Sequence, residues 1–389
     1  MTPAVGQFDA IIIGGGVIGC SIAWRLSQAG MRALVVERGA IGREASWAAG
    51  GILSPLAEAD RADAFFDLCA ASRSLYAEFA HELREATGID IEYRSEGTIY
   101  LALTDDDEEE LEIRLRWQQQ AGLNVKRLNA TCVHKLEPMV NERLRWALKF
   151  PDDHQVDNRR LTKALEVAAR KAGASFLTHT EVISLSLDGR QVRGVLTSRG
   201  EIHAKAVIVA AGSWSSLIKA DRGEESYFSI EPIRGQMVAI DMAERPLQHI
   251  LYSRRAYLVP RNSGYVIAGS TVEEVGYDKR VTAGGIGSII SRALEIAPGL
   301  AKQAILETWA GLRPKVRSAD IHDEWPVLGV DAQIGGLVYA TGHYRNGILL
   351  TPITAKTISE LILRGQPALD ITPFSSLRFQ PAQRVKQPD

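Results

Sequence analysis

The opening of the chain contains a complete strand–turn–helix–strand unit, which constrains the fold more than any other feature of the sequence. The apolar run Phe8–Ile13 is too short for a helix and is followed by glycines, so it predicts a buried strand. Apolar residues then recur at helical spacing until Gly30, where the helix is predicted to end. The run Arg32–Glu37 predicts a second buried strand. Such a unit is typical of an α/β fold with a parallel sheet.

The turn between this first strand and the helix carries Gly14, Gly16 and Gly19. In this context Gly14 permits the tight turn, Gly16 lets the backbone approach a pyrophosphate, and Gly19 lets the helix pack against the strands. The helix N-terminus favours such an anion. Glu37, 18 residues after Gly19, can accept hydrogen bonds from ribose hydroxyls and disfavours a 2′-phosphate. The unit predicts dinucleotide binding, the alternative being a turn that only packs tightly, and it does not distinguish NAD from FAD.

The rest of the chain alternates between two kinds of pattern. Short buried runs and helices return after residue 150 and again near the C-terminus, whereas residues 230–271 contain apolar runs separated by turn residues, as in an antiparallel sheet. The sequence thus predicts an α/β protein in which a Rossmann-like domain is assembled from separate pieces and an antiparallel-sheet plus helix domain is inserted between them. The first domain is predicted to comprise residues 1–60, 150–220 and 310–370, and the inserted domain residues 61–149 and 221–309.

The charge and composition exclude several classes of protein. With 45 Lys+Arg against 47 Asp+Glu, a net charge of −2 and no basic block, the chain is not expected to bind nucleic acid or an anionic membrane. The acidic run Asp105–Glu110 follows Thr104 and is interpreted as the first turn of a helix. The longest apolar stretch, Ala10–Trp24, has 15 residues and is too short to span a bilayer. Residues 1–9 lack the basic residues of a secretory leader, and three scattered cysteines and eight scattered histidines predict no disulfide framework and no metal site. The predicted location is the cytoplasm.

A second segment rich in small residues points to a flavin. Residues 42–53, GREASWAAGGIL, would let the backbone approach a flat ring system. This segment resembles the flavin-contacting loop of the D-amino-acid-oxidase-like flavoproteins, most closely the glycine oxidases of the thiamine pathway. The resemblance continues at residues 311–314, GLRP, and at residues 342–349, GHYRNGIL, and it covers essentially the whole chain in the family's order.

The resemblance implies a two-domain enzyme that uses FAD to oxidise an amine carbon next to a carboxylate. Neither Cys69 nor Cys132 lies in a segment that matches the attachment site of covalently flavinylated relatives, so FAD is expected to be bound non-covalently. The family also implies dioxygen as a partner and a homo-oligomer, a tetramer. The predicted cofactor-binding residues are Gly14, Gly16, Val17, Ile18, Gly19, Glu37, Arg38, Ala45, Ser46, Gly50, Gly51, Ile52, Val182, Gly212, His343, Tyr344, Asn346, Gly347, Ile348 and Leu349.

Two late arginines predict a site for a carboxylate. Arg313 and Arg345 each lie in an apolar, glycine-flanked segment near the end of a predicted strand. A buried guanidinium needs an anionic partner, which is either a substrate carboxylate or an internal acid. The resemblance assigns the carboxylate clamp to Arg313, places Arg345 beside the flavin and the substrate, and places Tyr257 over the substrate carboxylate. Without the resemblance, Tyr257 is equally a half-buried strand aromatic.

The expected reaction is oxidation of glycine, sarcosine or D-alanine, with hydride transfer to flavin N5, hydrolysis of the imine and formation of hydrogen peroxide from dioxygen. The N-terminus of the helix that follows Asn346–Leu349 would stabilise negative charge on the reduced flavin. No catalytic base or nucleophile is predicted, because the flavin supplies the redox chemistry. Three alternatives stay open. They are a dehydrogenase that reduces a quinone or protein acceptor, such as a D-amino-acid dehydrogenase or a subunit of a cyanide-forming complex; a tRNA-modifying module; and a flavin-binding subunit without turnover.

Overall fold

Two large β-sheets and the helices packed on them make up most of the structure. The computed structural model describes residues 8–220, 228–242, 247–318, 321 and 323–379. In chain order, the strands of these residues are β1 (Phe8–Ile13), β2 (Ala33–Val36), β3 (Ile52–Leu53), β4 (Thr98–Ala102), β5 (Lys126–Asn129), β6 (Trp146–Phe150), β7 (His154–Gln155), β8 (Ser175–Leu177), β9 (Val182–Asp188), β10 (Gln191–Thr197), β11 (Gly200–Val209), β12 (Lys219–Ala220), β13 (Ser229–Asp241), β14 (Ile250–Tyr252), β15 (Tyr257–Arg261), β16 (Tyr265–Gly269), β17 (Ile305–Arg317), β18 (Val327–Val330) and β19 (Leu337–Thr341). The α-helices are α1 (Val17–Gln28), α2 (Ala45–Ala48), α3 (Pro55–Glu58), α4 (Ala64–Ser74), α5 (Tyr76–Thr87), α6 (Asp105–Gln120), α7 (Ala130–Leu136), α8 (Asn158–Lys171), α9 (Ala283–Ile296) and α10 (Thr351–Arg364). The expectation of no basic leader concerns residues 1–9, of which 1–7 lie outside the described residues.

The first sheet has nine strands, in the order β12-β9-β10-β11-β1-β2-β8, with β19 pairing with β11 and β18 pairing with β19. β1 is parallel to β2 and β11, and β8 and β19 extend the parallel region on either side. One face packs against α1, α8 and α10, and the residues facing away from these helices cluster with apolar side chains of β9 and β10. β11 has ten residues, from Gly200 to Val209, because its first half pairs with β10 and its second half with β1.

The predicted strand–turn–helix–strand unit is present as β1, α1 and β2. α1 begins directly after Gly16, and Gly19 lies where the helix passes closest to the preceding turn. A Cβ atom on Gly19 would lie 1.9 Å from the carbonyl oxygen of Gly14. Gly19 thus allows the close packing that its spacing predicts.

The second sheet has eight strands, in the order β17-β13-β16-β15-β14-β4-β6-β5. Neighbouring strands are antiparallel except for β14 and β4. β13 and β17 have 13 residues each and pair along almost their whole length, from Ser229 opposite Arg317 to Ile240 opposite Ile305. α9 packs on this sheet and, together with it, encloses a second apolar core.

One strand of the second sheet, β17, crosses an approximate segment boundary predicted from the sequence. The boundary predicted at residue 310 falls inside β17, which pairs with β13 of the second sheet up to Arg317. The sequence of β17, ILETWAGLRPKVR, does not reveal the length of the strand, because polar residues, a glycine and a proline interrupt the alternation of apolar side chains. The strand that carries Arg313 therefore belongs to the antiparallel sheet.

Two helical segments show how local capping decides boundaries. The helical residues from Ala64 to Thr87 are divided at Leu75 into α4 and α5, and the side chain of Asp63 caps the N-terminus of α4. The acidic run is the first turn of α6, where Thr104 and Asp107 form a capping box, as the helical interpretation requires.

Candidate active site

A cavity of about 440 Å³ lies along the carboxyl ends of the parallel strands of the first sheet. At one end it is lined by the turn after β1 and by the residues after β2, and at the other end by β15 and β17 of the second sheet. In open α/β sheets this edge is where ligands bind. The cavity is thus placed to hold a nucleotide at one end and a second molecule at the other.

The nucleotide end is built around Glu37. Its carboxylate accepts a hydrogen bond from the backbone N–H of Gly15 at 2.8 Å through one oxygen and from that of Gly39 at 2.8 Å through the other. Gly14 has a positive φ of 107°, and a Cβ atom there would lie 2.5 Å from the carbonyl oxygen of Ala210. Only glycine fits this turn, and the acid beside it is fixed by the backbone.

The N-terminus of α1 faces the same part of the cavity. Its N-cap residue, Gly16, has no side chain to cap the helix, and the N–H of Val17 donates to Ser46 Oγ at 3.0 Å. A Cβ atom on Gly16 would approach that same oxygen to 3.0 Å. Free N–H groups and the helix dipole make this a site for an anion such as a pyrophosphate.

An arginine and two aromatic side chains stack beside the nucleotide end. The guanidinium of Arg38 lies 3.8 Å from the ring centre of Trp214, and the ring centres of Trp214 and Tyr277 are 5.6 Å apart. Arg38 also pairs with Glu44 at 3.3 Å, and Glu44 pairs with Lys279 at 2.8 Å. These contacts join the loop after β16 to the first sheet at the rim of the cavity.

The loop of residues 42–53 crosses the middle of the cavity, and a buried arginine fixes it. Gly51 has a φ of 72°, and a Cβ atom there would lie 2.0 Å from the carbonyl oxygen of Val156. Arg261 donates to the carbonyl oxygen of Gly50 at 2.8 Å and to Asn158 Oδ1 at 3.2 Å. Burial lowers the pKa of Arg261 from its usual value. The loop is therefore fixed from behind, with its small residues turned to the cavity.

Arg313 lies at the far end of the cavity on β17. Its guanidinium donates to the carbonyl oxygen of Thr271 at 3.1 Å and to Ser270 Oγ at 2.6 Å. Among the described residues it forms no ion pair with a carboxylate. A Cβ atom on Gly235, across the strand pair, would lie 2.3 Å from both terminal nitrogens, so this glycine makes room for the guanidinium. Among the residues that the structure describes, the guanidinium of Arg313 therefore has only neutral hydrogen-bond acceptors.

Arg345 lies at the same end but has a different environment. It pairs with Glu58 at 3.4 Å and donates to the hydroxyl of Tyr252 at 2.9 Å. Both Glu58 and Tyr252 raise the pKa of Arg345. The ring of Tyr252 stacks on that of Tyr257, with ring centres 6.0 Å apart. Arg345 thus has the internal acidic partner that Arg313 lacks.

The segment before α10 closes the cavity on another side. His343 is fully buried, and its Nε2 lies 3.1 Å from Thr354 Oγ1. Burial lowers the pKa of His343 to about 3, so its ring is neutral near pH 7. Thr351 and Pro352 occupy the first turn of α10.

The comparison with known families decides what this cavity serves. The family described as DAO, FAD dependent oxidoreductase, matches residues 9–361. The chain belongs to this family. It is an FAD-dependent oxidoreductase, and the predicted cofactor is confirmed.

Comparison with individual proteins shows which type of DAO-family enzyme this chain resembles. A glycine oxidase of Geobacillus kaustophilus is 33% identical over 374 residues, covering 96% of this chain and 97% of that protein. The crystal structure of glycine oxidase from Geobacillus kaustophilus matches with a TM-score of 0.88 at 34% identity, covering 95% of this chain and 98% of that chain. The hydrogen cyanide synthase subunit HcnC of Pseudomonas aeruginosa is 31% identical over 409 residues, covering 96% of this chain and 97% of that protein. The glycine-oxidase type and the α/β fold class predicted from the sequence are confirmed.

The cavity of this DAO-family chain fits FAD. A Cβ atom on Gly14 or Gly51 would collide with a backbone carbonyl oxygen, and a Cβ atom on Gly16 would crowd Ser46 Oγ. The uncapped N-terminus of α1 is suited to the pyrophosphate, and Glu37 is placed beside the turn that would receive the adenosine part. Non-covalent attachment stays a prediction.

The structure brings together nearly all of the predicted site residues of this family member. Gly19 and Leu349 do not line the cavity: Gly19 packs α1 against the turn, and the carbonyl oxygen of Leu349 accepts a hydrogen bond from Ser72 Oγ at 2.6 Å. The predicted residues that line it are Gly14, Gly16, Val17, Ile18, Glu37, Arg38, Ala45, Ser46, Gly50, Gly51, Ile52, Val182, Gly212, Tyr257, Arg313, His343, Tyr344, Arg345, Asn346, Gly347 and Ile348.

Several residues that line the cavity were missed from the sequence. Glu58 lies in a four-residue helix without a periodic pattern, and nothing in its segment marks it as a partner of Arg345. Gly235 had a usable signal, because a glycine inside a strand often marks a close approach of another group. Trp214 follows the glycine after the buried strand β11 and could have been found from that context. In the part of the chain that the structure describes, no helix has the length and apolar character of a membrane span.

Proposed function

We propose that this FAD-dependent oxidoreductase oxidises glycine and other small amines or D-amino acids, such as sarcosine and D-alanine. The products would be the imine or 2-oxo acid, ammonia or an amine, and hydrogen peroxide. Similarity to glycine oxidases along nearly the whole chain supports the substrate class. When bound, FAD would supply the two-electron oxidation of the α-carbon, with flavin N5 as the hydride acceptor.

The observation that carries the proposal is the environment of Arg313. A guanidinium that faces a cavity and has only neutral partners among the described residues can accept an external carboxylate without first breaking an ion pair. Its planar N–H groups suit a carboxylate in a bidentate arrangement. Arg313 would hold the substrate carboxylate and thereby fix the position of the α-carbon.

Tyr257 and Met237 form the wall beside Arg313. The Tyr257 hydroxyl donates to the Met237 sulfur at 3.4 Å, a weak acceptor that a substrate carboxylate could replace. A Cβ atom on Gly269 would lie 2.8 Å from the same hydroxyl, so the ring stands closely against the neighbouring strand. Tyr257 would therefore limit substrate size and donate a hydrogen bond to the carboxylate.

Arg345 would act differently from Arg313. Because Glu58 already neutralises it, a second carboxylate gains less from binding there. The pair lies at the cavity surface, since 38% of the Arg345 side chain is exposed. We assign Arg345 to the edge of the substrate site, where it would position Tyr252 and exclude bulky substrates.

A peroxide assay on the purified holoenzyme tests the proposed function. Glycine, sarcosine and D-alanine are each expected to yield hydrogen peroxide together with a 2-oxo acid, and propylamine, which lacks the carboxylate, is expected to be a poor substrate. Anaerobic addition of glycine should bleach the flavin absorbance. Absence of both peroxide and bleaching with all three amino acids would contradict the proposal.

A second candidate is a dehydrogenase that passes electrons to a quinone or a protein instead of dioxygen. The similarity to HcnC, nearly as high as that to the glycine oxidases, favours keeping it. In that case glycine should bleach the flavin anaerobically, but air should restore the absorbance slowly while an artificial quinone restores it fast. The two candidates share the substrate site and differ in this second half-reaction.

Four features of the proposed enzyme stay predictions. They are non-covalent FAD, the division into an FAD-binding and a substrate-binding domain, a homotetramer and location in the cytoplasm. Acid precipitation should release FAD into the supernatant and leave a colourless pellet, and light scattering of the purified protein measures the oligomeric state.

A further inference from the structure

A second group of titratable side chains lies in the second sheet and does not line the active-site cavity. Glu137, which follows α7, accepts a hydrogen bond from His249 Nδ1 at 2.8 Å through its Oε1. The opposite ring nitrogen of His249, Nε2, lies 2.9 Å from Lys149 Nζ on β6. Glu137 and His249 are buried, whereas Lys149 is partly exposed. The three side chains form a carboxylate–imidazole–amine relay whose amine reaches the surface.

The geometry of this relay fixes the role of each nitrogen. Glu137 Oε1 also accepts from the backbone N–H of Gln248 at 2.9 Å and from that of His249 at 2.7 Å, so the carboxylate cannot turn away. Because Nδ1 donates to Glu137, Nε2 of neutral His249 is left as an acceptor that faces Lys149. His249 can therefore take a proton from the amine, and Glu137 stabilises the imidazolium that forms.

A second lysine lies beside Lys149. Lys126 of β5 lies directly opposite Lys149 in the antiparallel pair, so the two side chains share one face of the sheet. Burial and the charge of Lys126 lower the pKa of Lys149, while Glu137 and Glu96 act in the opposite direction. Glu96 itself pairs with Arg94 at 3.3 Å. A lysine next to a second cation is a recognised arrangement for an amine nucleophile.

We propose that Lys149 is a nucleophilic amine that adds to the carbonyl carbon of a small 2-oxo acid, while the ammonium group of Lys126 pairs with the carboxylate of that acid. The choice of 2-oxo acids rests on the cation beside the amine and not on the proposed function of the flavin site. Lys126 is exposed and lies directly opposite Lys149 on the neighbouring strand. This arrangement suits a molecule whose carboxylate is adjacent to its carbonyl group.

The step balances without an oxidant or reductant. The lone pair of the Lys149 nitrogen forms a bond to the carbonyl carbon, and the carbonyl oxygen becomes a hydroxyl group. His249 takes the first N–H proton and passes it to this oxygen, which gives the hydroxyl. It then takes the second N–H proton and passes it to the hydroxyl, which departs as water while the nitrogen lone pair forms the C=N bond. The product is an imine between Lys149 and the 2-oxo acid, and hydrolysis reverses its formation.

Reductive trapping of the holoenzyme tests this site. The protein is incubated with glyoxylate and cyanoborohydride, whose hydride reduces the imine to a stable secondary amine, and labelled lysines are identified by peptide mass spectrometry. Lys149 is expected to be labelled at least about threefold faster than the exposed lysines Lys163 and Lys205, which serve as controls within each molecule. Labelling of denatured protein normalises the rates.

Two variants separate the parts of the relay. His249→Gln is expected to reduce labelling of Lys149 to the rate of Lys163. Lys126→Gln is expected to slow the labelling of Lys149 by glyoxylate but not by propionaldehyde, which has no carboxylate. Because Lys126 is exposed, this variant keeps the proposal testable even if His249→Gln does not fold. Equal rates for Lys149 and the control lysines in the unaltered protein would overturn the proposal. So would a Lys126→Gln variant that reacts with glyoxylate at the unaltered rate. Neither result bears on amine oxidation at the flavin site.

Discussion

The two ends of the active-site cavity are built from different parts of the chain. At the nucleotide end, the turn after β1 contributes backbone N–H groups and small residues. Glu37 contributes a carboxylate that accepts a hydrogen bond from the N–H of Gly15, 22 residues earlier in the chain. At the substrate end the groups are side chains, Tyr257, Arg313 and Arg345, carried by β15, β17 and the loop before α10. Backbone geometry determines the first end, and the charges of side chains determine the second.

A second contrast lies within the substrate end. Arg313 has only neutral hydrogen-bond partners among the described residues, whereas Arg345 is paired with Glu58. A bound carboxylate would gain a full charge pair at Arg313 and would compete with Glu58 at Arg345. The two arginines should therefore respond very differently to mutation.

The largest effect is expected from Arg313→Ala. If Arg313 holds the substrate carboxylate, its loss removes a charge-assisted, partly desolvated pair worth about 2–4 kcal/mol, which lowers kcat/KM for glycine by about 30- to 1000-fold. FAD binding should stay normal, and competitive inhibition by glycolate should be lost. Steady-state kinetics with glycine and flavin absorbance of the purified variant measure these two outcomes.

Arg313→Lys is the matched control for this prediction. An ammonium group cannot make two parallel hydrogen bonds, so only part of the loss should be recovered. Oxidation of an amine without a carboxylate should change little in either variant. Glycine kinetics within about threefold of the unaltered enzyme would show that Arg313 is not the clamp, and Arg345 would be examined next.

The next largest effect is expected at the nucleotide end, from Gly14→Ala. The added Cβ lies 2.5 Å from the carbonyl oxygen of Ala210 on a backbone with φ of 107°. Backbone strain of about 1–3 kcal/mol at this turn should weaken FAD binding by about 5- to 150-fold, while KM for glycine in the FAD-saturated variant changes little. Titration of the apoprotein with FAD measures this affinity.

Gly30→Ala is the matched control for the nucleotide end. Gly30 also has a positive φ, of 83°, but nothing lies within 4 Å of an added Cβ. This change should lower stability slightly and leave FAD affinity unaltered. Equal losses of FAD affinity in both variants would mean that strain alone, and not the close approach to Ala210, decides the effect.

The difference between the two ends also explains how far the sequence could predict the site. The glycine turn and Glu37 lie within one local unit, so spacing alone identified them. The segment around Arg313 predicted a carboxylate site, but the clamp role of Arg313 and the place of Tyr257 came from the resemblance. Their meeting depends on strand pairing in the second sheet. Glu58 was not found, since no local pattern relates it to Arg345, which is 287 residues away.

The fold shows the same limit. β1, α1 and β2 could be predicted nearly to the residue, because buried parallel strands and a helix bounded by glycines have strong local patterns. β17 could not, because its inward-facing residues include Gly311 and Arg313, which belong to the site and interrupt the apolar alternation. The residues that carry function are thus those at which the strand pattern fails.

A smaller effect is expected at the second arginine. Arg345→Gln leaves Glu58 without its cation, but the pair lies at the cavity surface and water can replace part of the interaction. The loss in kcat/KM for glycine should be about 3- to 10-fold, well below that of Arg313→Ala. In the double variant Arg345→Gln/Glu58→Gln, part of the loss should be regained, because no unpaired carboxylate then repels the substrate. A double variant that is as impaired as the sum of both single variants would argue against this coupling.

The smallest effect on stability or activity is expected at His343, which lines the active-site cavity. Burial lowers the pKa of His343 to about 3, whereas an unfolded histidine has a pKa of 6.5. Between pH 6.5 and pH 3, His343 is protonated in the unfolded chain but stays neutral in the folded chain. The free energy of unfolding therefore falls by about 1.4 kcal/mol for each pH unit of acidification in this range. Between pH 7.5 and 5.5, the free energy of unfolding of His343→Gln should therefore fall by about 1 kcal/mol less than that of the unaltered enzyme.

Urea unfolding at the two pH values, with the same saturating FAD concentration, measures this difference. Burial also lowers the pKa of His154 to about 4 and raises that of Asp153 to about 7, so these groups act on the same pH range in opposite directions. Both are present in the unaltered enzyme and in the variant, and their contributions cancel in the comparison. If the two proteins lose equal stability on acidification, His343 is not held neutral, and the cavity wall next to the arginines carries a further positive charge.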